Sequence, residues 1–307
     1  MTGLPQLASV PGKTASARLA RSITWRASRL TYLIIHWLVD GGLADDAFRA
    51  YAYFRWVDDV LDAPGDERAA RLAFLQRQRR LLSGLLSGLT PGSLLPQERI
   101  LADLIGGCRH RHPGLRSYLE RMMAVMEFDA GRRGLMITEI ELDRYSQLLA
   151  TAVMDAIAYF IGHGHRYPES PARTQAVVSA HIIHMLRDTH DDIQAGYFNV
   201  PRSLLEVERL KPDDVQHPAY RQWIRRRIEA ARRGFVEGKA YIRRMGCLRA
   251  QLAGYLYCAR FELVLRRIEL DGYRLREGSN RPTPFAARLA HARRHPHSSV
   301  HSPRRAT

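Results

Sequence analysis

The chain has 307 residues, 46% of them apolar, with 22 glycines and 15 prolines, which excludes a disordered or fibrous protein and leaves enough apolar material for a real core. Three cysteines, Cys108, Cys247 and Cys258, are too few and too far apart for a disulfide framework or a zinc site, so a reducing cytoplasm is the expected compartment. The net charge of +16 is almost all arginine, with lysine only at positions 13, 211 and 239; no RNA-binding, zinc-finger or helix-turn-helix signature accompanies it, so the excess is read as a basic surface able to meet an anionic membrane peripherally rather than as a nucleic-acid site.

From the N-terminus, residues 1–16 show no apolar period and no long apolar leader, and are expected as a tail. Helical periodicity follows over 17–40. Its most apolar run, LTYLIIHWLV, is ten residues long and includes His36, too short to cross a bilayer. A DGG break at 40–42 leads into a predicted helix over 43–62 that contains YAYFRWVDDVLD. Counted by threes and fours, Tyr51, Arg55, Asp58 and Asp62 share one stripe, Asp59 borders it, and Phe54, Val57 and Leu61 form another. Like charges one turn apart cost a helix roughly 0.2–0.5 kcal/mol, which a solvated face tolerates; the aromatic flanks point away from simple solvation. Further helices are predicted over 66–88, 94–111, 114–129 and 138–162, separated by PGD, TPG and HPG, with GHGHRYPESP at 162–171 closing the run.

The helix predicted over 171–193 carries VVSAHIIHMLRDTHDDI. His181, His184, Asp188 and Asp192 share a stripe with Asp191 at its edge, and Ile182, Ile183, Met185 and Leu186 fill the other side. Arg187 stands just upstream of these aspartates, as Arg55 does on the earlier helix. Past a KPDD break at 211–214, helices over 216–245 and 247–271 complete the pattern; residues 279–307, rich in Pro, Ser, Arg and His, are expected as a second tail. With no alternating β-branched strands and no repeat at fixed spacing, the chain reads as all-α, a single domain over 17–278 with several helices apolar enough to lie centrally.

One acidic helix is weak evidence; two make a constellation. If both face one cavity they accumulate negative charge, which is costly at low dielectric unless cations occupy it. Carboxylates at i and i+4 suit magnesium, a hard ion that bridges protein carboxylates to phosphate oxygens, and arginine adds charge-assisted hydrogen bonds. The chemistry that follows is metal-assisted departure of diphosphate, leaving a carbocation that aromatic faces shield from water. Two other readings start from the histidines: a facial triad of His181, His184 and Asp188 for iron or zinc, and a His190–Asp191 pair as in metal-dependent phosphohydrolases. Neither explains the first acidic helix, so His181 and His184 are read as neutral polar lining.

At these residues the chain resembles the squalene/phytoene synthases. AYFRWVDDVLD resembles the family's first aspartate-rich motif and HMLRDTHDDIQAGYFNVP its second; MEFDAGRRGLMITEIELDRYSQLLATAV resembles the intervening stretch in which an aspartate precedes a tyrosine-bearing central helix. The resemblance spans roughly residues 20 to 275. It implies an isoprenoid synthase-type helical bundle around a central active-site cavity. It further implies more than one Mg2+ bound by Asp58, Asp62, Asp188 and Asp192 with support from Asp59 and Asp191, and diphosphate met by Arg55 and Arg187. Tyr145 is placed at the reacting centre, Ser22 in a phosphate-contacting turn, and Tyr51 on the substrate side. Two departures stand out: His181 and His184 replace the usual glutamine and asparagine, and Thr151 and Met154 replace glycines that leave room beside the reacting chains. The implied reaction is head-to-head condensation of two prenyl diphosphates, with cyclisation of a single prenyl diphosphate, as in class I terpene cyclases, as the alternative. NADPH use is left open, since no GxGxxG fingerprint occurs and reductive family members lack one too.

Overall fold

Ser28 divides the first predicted helix in two. It adopts an extended backbone (φ −153°, ψ 108°) and its hydroxyl accepts from the Thr31 amide at 3.2 Å, so α1 (Pro11–Ala27) ends and α2 (Arg29–Leu38) starts anew. The computed structural model describes residues 11–63, 68–89, 92–106, 112–162, 164–165 and 167–276; Cys108 and the expected tail at 279–307 lie outside them. The other helices are α3 (Ala44–Leu61), α4 (Arg68–Leu86), α5 (Pro96–Ile105), α6 (Pro113–Arg132), α7 (Glu139–Phe160), α8 (Gln175–Ala195), α9 (Arg202–Glu208), α10 (Pro218–Arg243) and α11 (Leu248–Leu270). The all-α expectation stands, with three further differences of detail. Helix α1 opens inside the segment expected as a tail, because it is anchored by small side chains that leave no apolar period: Ser16, Ala17, Ala20 and Thr24 are buried, and Ser16 accepts from Arg49 of α3 at 3.1 Å. Helix α9 was not predicted. A two-stranded parallel ribbon joins β1 (Met136–Ile137) to β2 (Phe198–Pro201). No helix among the described residues is long and apolar enough to cross a membrane.

Helix α8 occupies the centre. It packs on α7, α10 and α11 and is buried on most of its circumference, including Ala180, Ile183 and Leu186, as a helix enclosed by others must be. Its approach to α10 is close: a methyl group on Gly238 would stand 2.5 Å from the Ala176 amide nitrogen and one on Gly234 would stand 2.3 Å from Ser179 Oγ. Those glycines let the α8 axis lie against α10 and so set where its polar stripe points. Helix α3 packs on α1, α5 and α6, with Phe48, Tyr53 and Val57 in the core.

A buried polar knot fastens α4 to α5. Glu98 is fully buried and accepts from Arg77 at 2.7 and 2.8 Å, from Gln78 at 3.0 Å and from the Leu95 amide at 2.9 Å. The Arg77 hydrogen bonds, with help from Leu95 and Gln78, outweigh burial and hold its carboxyl down at about 2. A depressed carboxyl stabilises the folded state above the unfolded pKa and loses that contribution as pH falls through the folded one. Glu98→Gln is therefore expected to cost about 2 kcal/mol at pH 7. Thermal melts should show the gap from wild type narrowing as pH falls from about 4.5 towards 2; a gap independent of pH would count against the ionised knot.

Candidate active site

The two acidic motifs lie at the C-terminal ends of their helices, and those ends meet. Arg133 donates from Nε to the Ala195 carbonyl of α8 at 2.8 Å and from Nη1 to the Leu61 carbonyl of α3 at 3.0 Å. One guanidinium thus ties both terminal carbonyl clusters, where each helix dipole is negative. Gly196, at φ 86°, turns the chain out of α8, and the Gly134 amide donates to its carbonyl at 2.8 Å. The ribbon that follows carries Tyr197 and Asn199 back over the aspartates.

Around this junction lies a cavity of about 610 Å³. Eleven of the predicted residues border it: Tyr51, Arg55, Asp58 and Asp62 from α3 and its cap, Tyr145 from α7, and His181, His184, Arg187, Asp188, Asp191 and Asp192 from α8. Four do not. Asp59 turns aside and pairs with Arg55. Ser22 sits within α1; the polar turn that borders the cavity is Ser28–Thr31, one helical break later. Met154 is buried in the core and Thr151 returns its hydroxyl to the Gln147 carbonyl at 2.8 Å, so the two filled glycine positions do not line the cavity.

The charges are arranged in a chain. Arg187 grips Asp188 with two bonds of 2.6 Å, and His184 Nε2 lies 2.9 Å from the same carboxylate. Burial alone would raise the Asp188 carboxyl, but these partners overcome it and hold it at about 2. Arg55 reaches Asp58 at 3.3 Å without matching that effect. Burial first, then repulsion from Asp62 and Asp129, pushes the Asp58 carboxyl up to about 7. Burial and Asp188 push Asp192 up to about 8, and burial raises Asp62 as well. Carboxyls displaced upwards at two negative helix ends mark a site short of positive charge.

Several cavity residues carry no sequence signal of the acidic-stripe kind. Asp129 accepts from the Tyr145 hydroxyl at 2.6 Å and from Arg132 at 2.8 Å; Arg132 continues to Asn199 at 2.9 Å, and Asn199 donates to Asp192 at 2.7 Å. Tyr197 donates to Asp62 at 3.0 Å. Asp129 and Arg132 stand three apart in MEFDAGRR, just after the apolar run MMAVM of α6, and that contrast could have singled them out. Tyr257, Arg260 and Phe261 of α11 close the far side; only the tertiary fold brings them there. Among the described residues Arg260 has no ion-pair partner, whereas Arg55, Arg132 and Arg187 all meet carboxylates.

Among the described residues no three His, Cys, Asp or Glu side chains group closely enough to hold a metal ion by themselves, the histidine triad and the aspartates alike. His181 Nδ1 is bonded to Ser146 Oγ at 3.0 Å, and burial, with His184 and Arg132 nearby, lowers its pKa to about 3, leaving it neutral. His190 Nε2 contacts the Leu275 carbonyl at 3.2 Å and does not border the cavity. His184→Asn, which keeps a shorter donor towards Asp188, is expected to lower turnover by less than about tenfold, because Arg187 still holds the same carboxylate; steady-state kinetics would show a far larger fall if the imidazole were a metal ligand. The oxygen-only donor set of Asp58, Asp62, Asp188 and Asp192 fits a hard divalent cation that takes its remaining ligands from water and from a substrate oxyanion.

Comparison with known proteins places most of the chain. The family model for squalene/phytoene synthase matches residues 25–291. No curated protein sequence matches the chain. Among solved structures, squalene synthase HpnC from Alicyclobacillus acidocaldarius is similar with a TM-score of 0.67 at 20% identity, over 87% of this chain and 98% of that one. A dehydrosqualene synthase in complex with ligand is similar with a TM-score of 0.66 at 16% identity, over 92% of this chain and 96% of that one. These likenesses establish the shared fold, and the family match over most of the sequence establishes kinship: the chain belongs to the squalene/phytoene synthase family, whose members are prenyltransferase-type enzymes of isoprenoid biosynthesis.

Proposed function

We propose that the protein condenses two prenyl diphosphates head to head by ionising one of them and trapping the cation with the double bond of the other. The observation that carries this reading is the convergence of two acidic helix ends, with carboxyls displaced upwards, on one cavity that Tyr51, Tyr145, Tyr257 and Phe261 also line. Asp58, Asp62, Asp188 and Asp192 would hold magnesium, which when bound supplies charge to neutralise the departing diphosphate. Arg260, free of carboxylate partners among the described residues, and Arg55 orient the diphosphate oxygens by charge-assisted hydrogen bonds. Asp129 holds the Tyr145 hydroxyl, and burial, with Asp129 adding to it, keeps that phenol protonated well beyond the ordinary range. Tyr257 and Phe261, whose rings meet edge to face at 5.1 Å, exclude water and offer π-faces to a cation. Thr151 and Met154, whose bulk would have favoured folding of a single chain, lie outside the cavity lining, which removes that argument for cyclisation.

The test is incubation of the purified protein with geranyl, farnesyl and geranylgeranyl diphosphates, with and without Mg2+ and NADPH, and identification of extracted products by mass. A product with twice the carbon count of its substrate is expected, dependent on Mg2+. A product of equal carbon count would make the enzyme a cyclase, and absence of diphosphate release from every substrate would exclude both.

A further inference from the structure

Two stretches of the chain combine arginine with apolar side chains and contain no carboxylate. Residues 22–39 include Arg26 and Arg29; residues 243–261 include Arg243, Arg244, Arg249 and Arg260. The first covers the end of α1 and all of α2, the second the end of α10 and the first half of α11. They lie side by side. Arg249 donates to the Leu38 carbonyl at 3.3 Å and pairs with Asp40 at 2.6 Å, while Thr31 and Tyr257 border the same cavity. Helices α2 and α11 therefore run antiparallel, with the active-site cavity at the Thr31–Tyr257 end.

The outer faces of this pair are apolar where a soluble surface is usually polar. On α2, Leu33 and Trp37 are one turn apart and exposed, Trp37 to 70%; on α11, Leu248, Leu252 and Leu256 follow at four-residue steps with Tyr255 beside them, Leu248 at 79%. Exposed Trp25, with the Arg29 guanidinium over its ring at 3.8 Å, continues the strip at the α1 end. Exposed apolar side chains aligned along two helices that pack together mark an interaction surface. Its chemistry selects among partners. A second copy of the chain docking through the same face would set its exposed arginines against one another, while Asp40, just past the end of α2, is already held by Arg249. An anionic bilayer supplies phosphates for the arginines and a headgroup–acyl boundary for tryptophan, tyrosine and leucine. We propose that the α2–α11 face seats the enzyme peripherally on an anionic lipid bilayer, beside the cavity. If the prenyl-diphosphate reading holds, apolar chains then pass between bilayer and cavity over a short distance; the membrane contact itself does not depend on that reading.

The experiment is flotation of the full-length protein with vesicles of phosphatidylcholine alone or mixed with phosphatidylglycerol, in the absence of substrate. Wild type is expected to float with the mixed vesicles and only weakly with phosphatidylcholine alone, and added salt should weaken binding. Trp37→Glu/Leu252→Glu should lower the bound fraction by about tenfold or more, while Val207→Glu, at an exposed site on α9, which packs on β2, should float as wild type does. If the double glutamate variant does not fold, Trp37→Ser/Leu248→Ser, altering the two most exposed side chains of the face, carries the same expectation. Failure of the wild type to float, flotation of the variants at wild-type level, or loss of a dimer by light scattering with vesicle binding intact would each overturn the proposal, the last in favour of self-association.

Discussion

Asp58→Asn is expected to abolish turnover and, in the absence of divalent cations, to stabilise the protein. Both effects come from the same crowding. Asp58 sits on the last turn of α3 with Asp62 one turn on and Asp129 across the cavity, and its carboxyl is pushed up to about 7 by burial and by those neighbours. A raised carboxyl means that the folded state prefers the protonated form, so ionisation destabilises the fold progressively as pH rises from the unfolded value towards 7. The asparagine removes that penalty. Its advantage should be small near pH 4 and full above about pH 7. The side chain is 37% exposed, so solvent screening reduces the gain to about 1–2 kcal/mol, a rise in Tm of roughly 2–5 °C. Addition of Mg2+ should stabilise the wild type more than the variant, because the variant lacks one of the hard-oxygen donors. Turnover should fall by about 10³-fold or more, as expected when charge needed at a developing diphosphate is removed. Melting curves at pH 5 and pH 8, with EDTA or Mg2+, test the first half and diphosphate release tests the second. A variant that is active, or less stable than wild type at pH 8 in EDTA, would remove Asp58 from the metal-site assignment.

That trade of stability against function explains which parts of the site were legible in the sequence. Asp58, Asp62, Asp188 and Asp192 break local rules, since like charges repeat one turn apart on otherwise apolar helices, and such a violation is visible in the string itself. Helices with a clear apolar period, such as α8 and α10, were legible for the same reason. The misses have equally physical origins. Helix α1 buries alanine, serine and threonine, whose small side chains leave no hydrophobic period to read. Ser28 breaks the first helix through a single capping hydroxyl, and the cavity-facing polar turn shifts from Ser22 to Ser28–Thr31. Asn199 meets Asp192 only seven residues away, within the second acidic motif, but Arg133, Tyr197 and Arg260 reach the site through chain turns and helix packing, with contacts 62 and 135 residues apart in sequence for Arg133 and Tyr197. No local pattern encodes such distances. Thr151 and Met154 illustrate the converse: a correct position on α7 does not reveal which side of the helix meets the cavity.

Tyr145→Phe is expected to lower kcat by about 10²- to 10⁴-fold with little change in KM, the loss typical of a missing proton-handling group. The geometry makes this a clean deletion. The Tyr145 ring is stacked on Phe128 at 4.9 Å, met edge-on by His181 at 4.8 Å, and lies 5.1 Å from the Arg132 guanidinium, so phenylalanine keeps the same seat. Asp129 loses one donor but retains Arg132, and the cost in stability should stay near 1 kcal/mol, about that of one hydrogen bond. Burial raises the phenol, and the Asp129 carboxylate raises it further, so the hydroxyl is held protonated and is available as a donor rather than as a phenolate base. The wild-type pH–rate profile should accordingly show no alkaline limb from this residue below about pH 10, and neutral His181 should contribute no acid limb above about pH 5. Asp129→Asn keeps the shape of the site but weakens the grip on both Tyr145 and Arg132. If Asp129 acts by positioning Tyr145, the double variant Asp129→Asn/Tyr145→Phe should be little slower than Tyr145→Phe alone, the non-additivity expected of groups that work as a unit. Full additivity of the two losses, or a Tyr145→Phe enzyme with wild-type kcat, would return the tyrosine to the role of a packing residue.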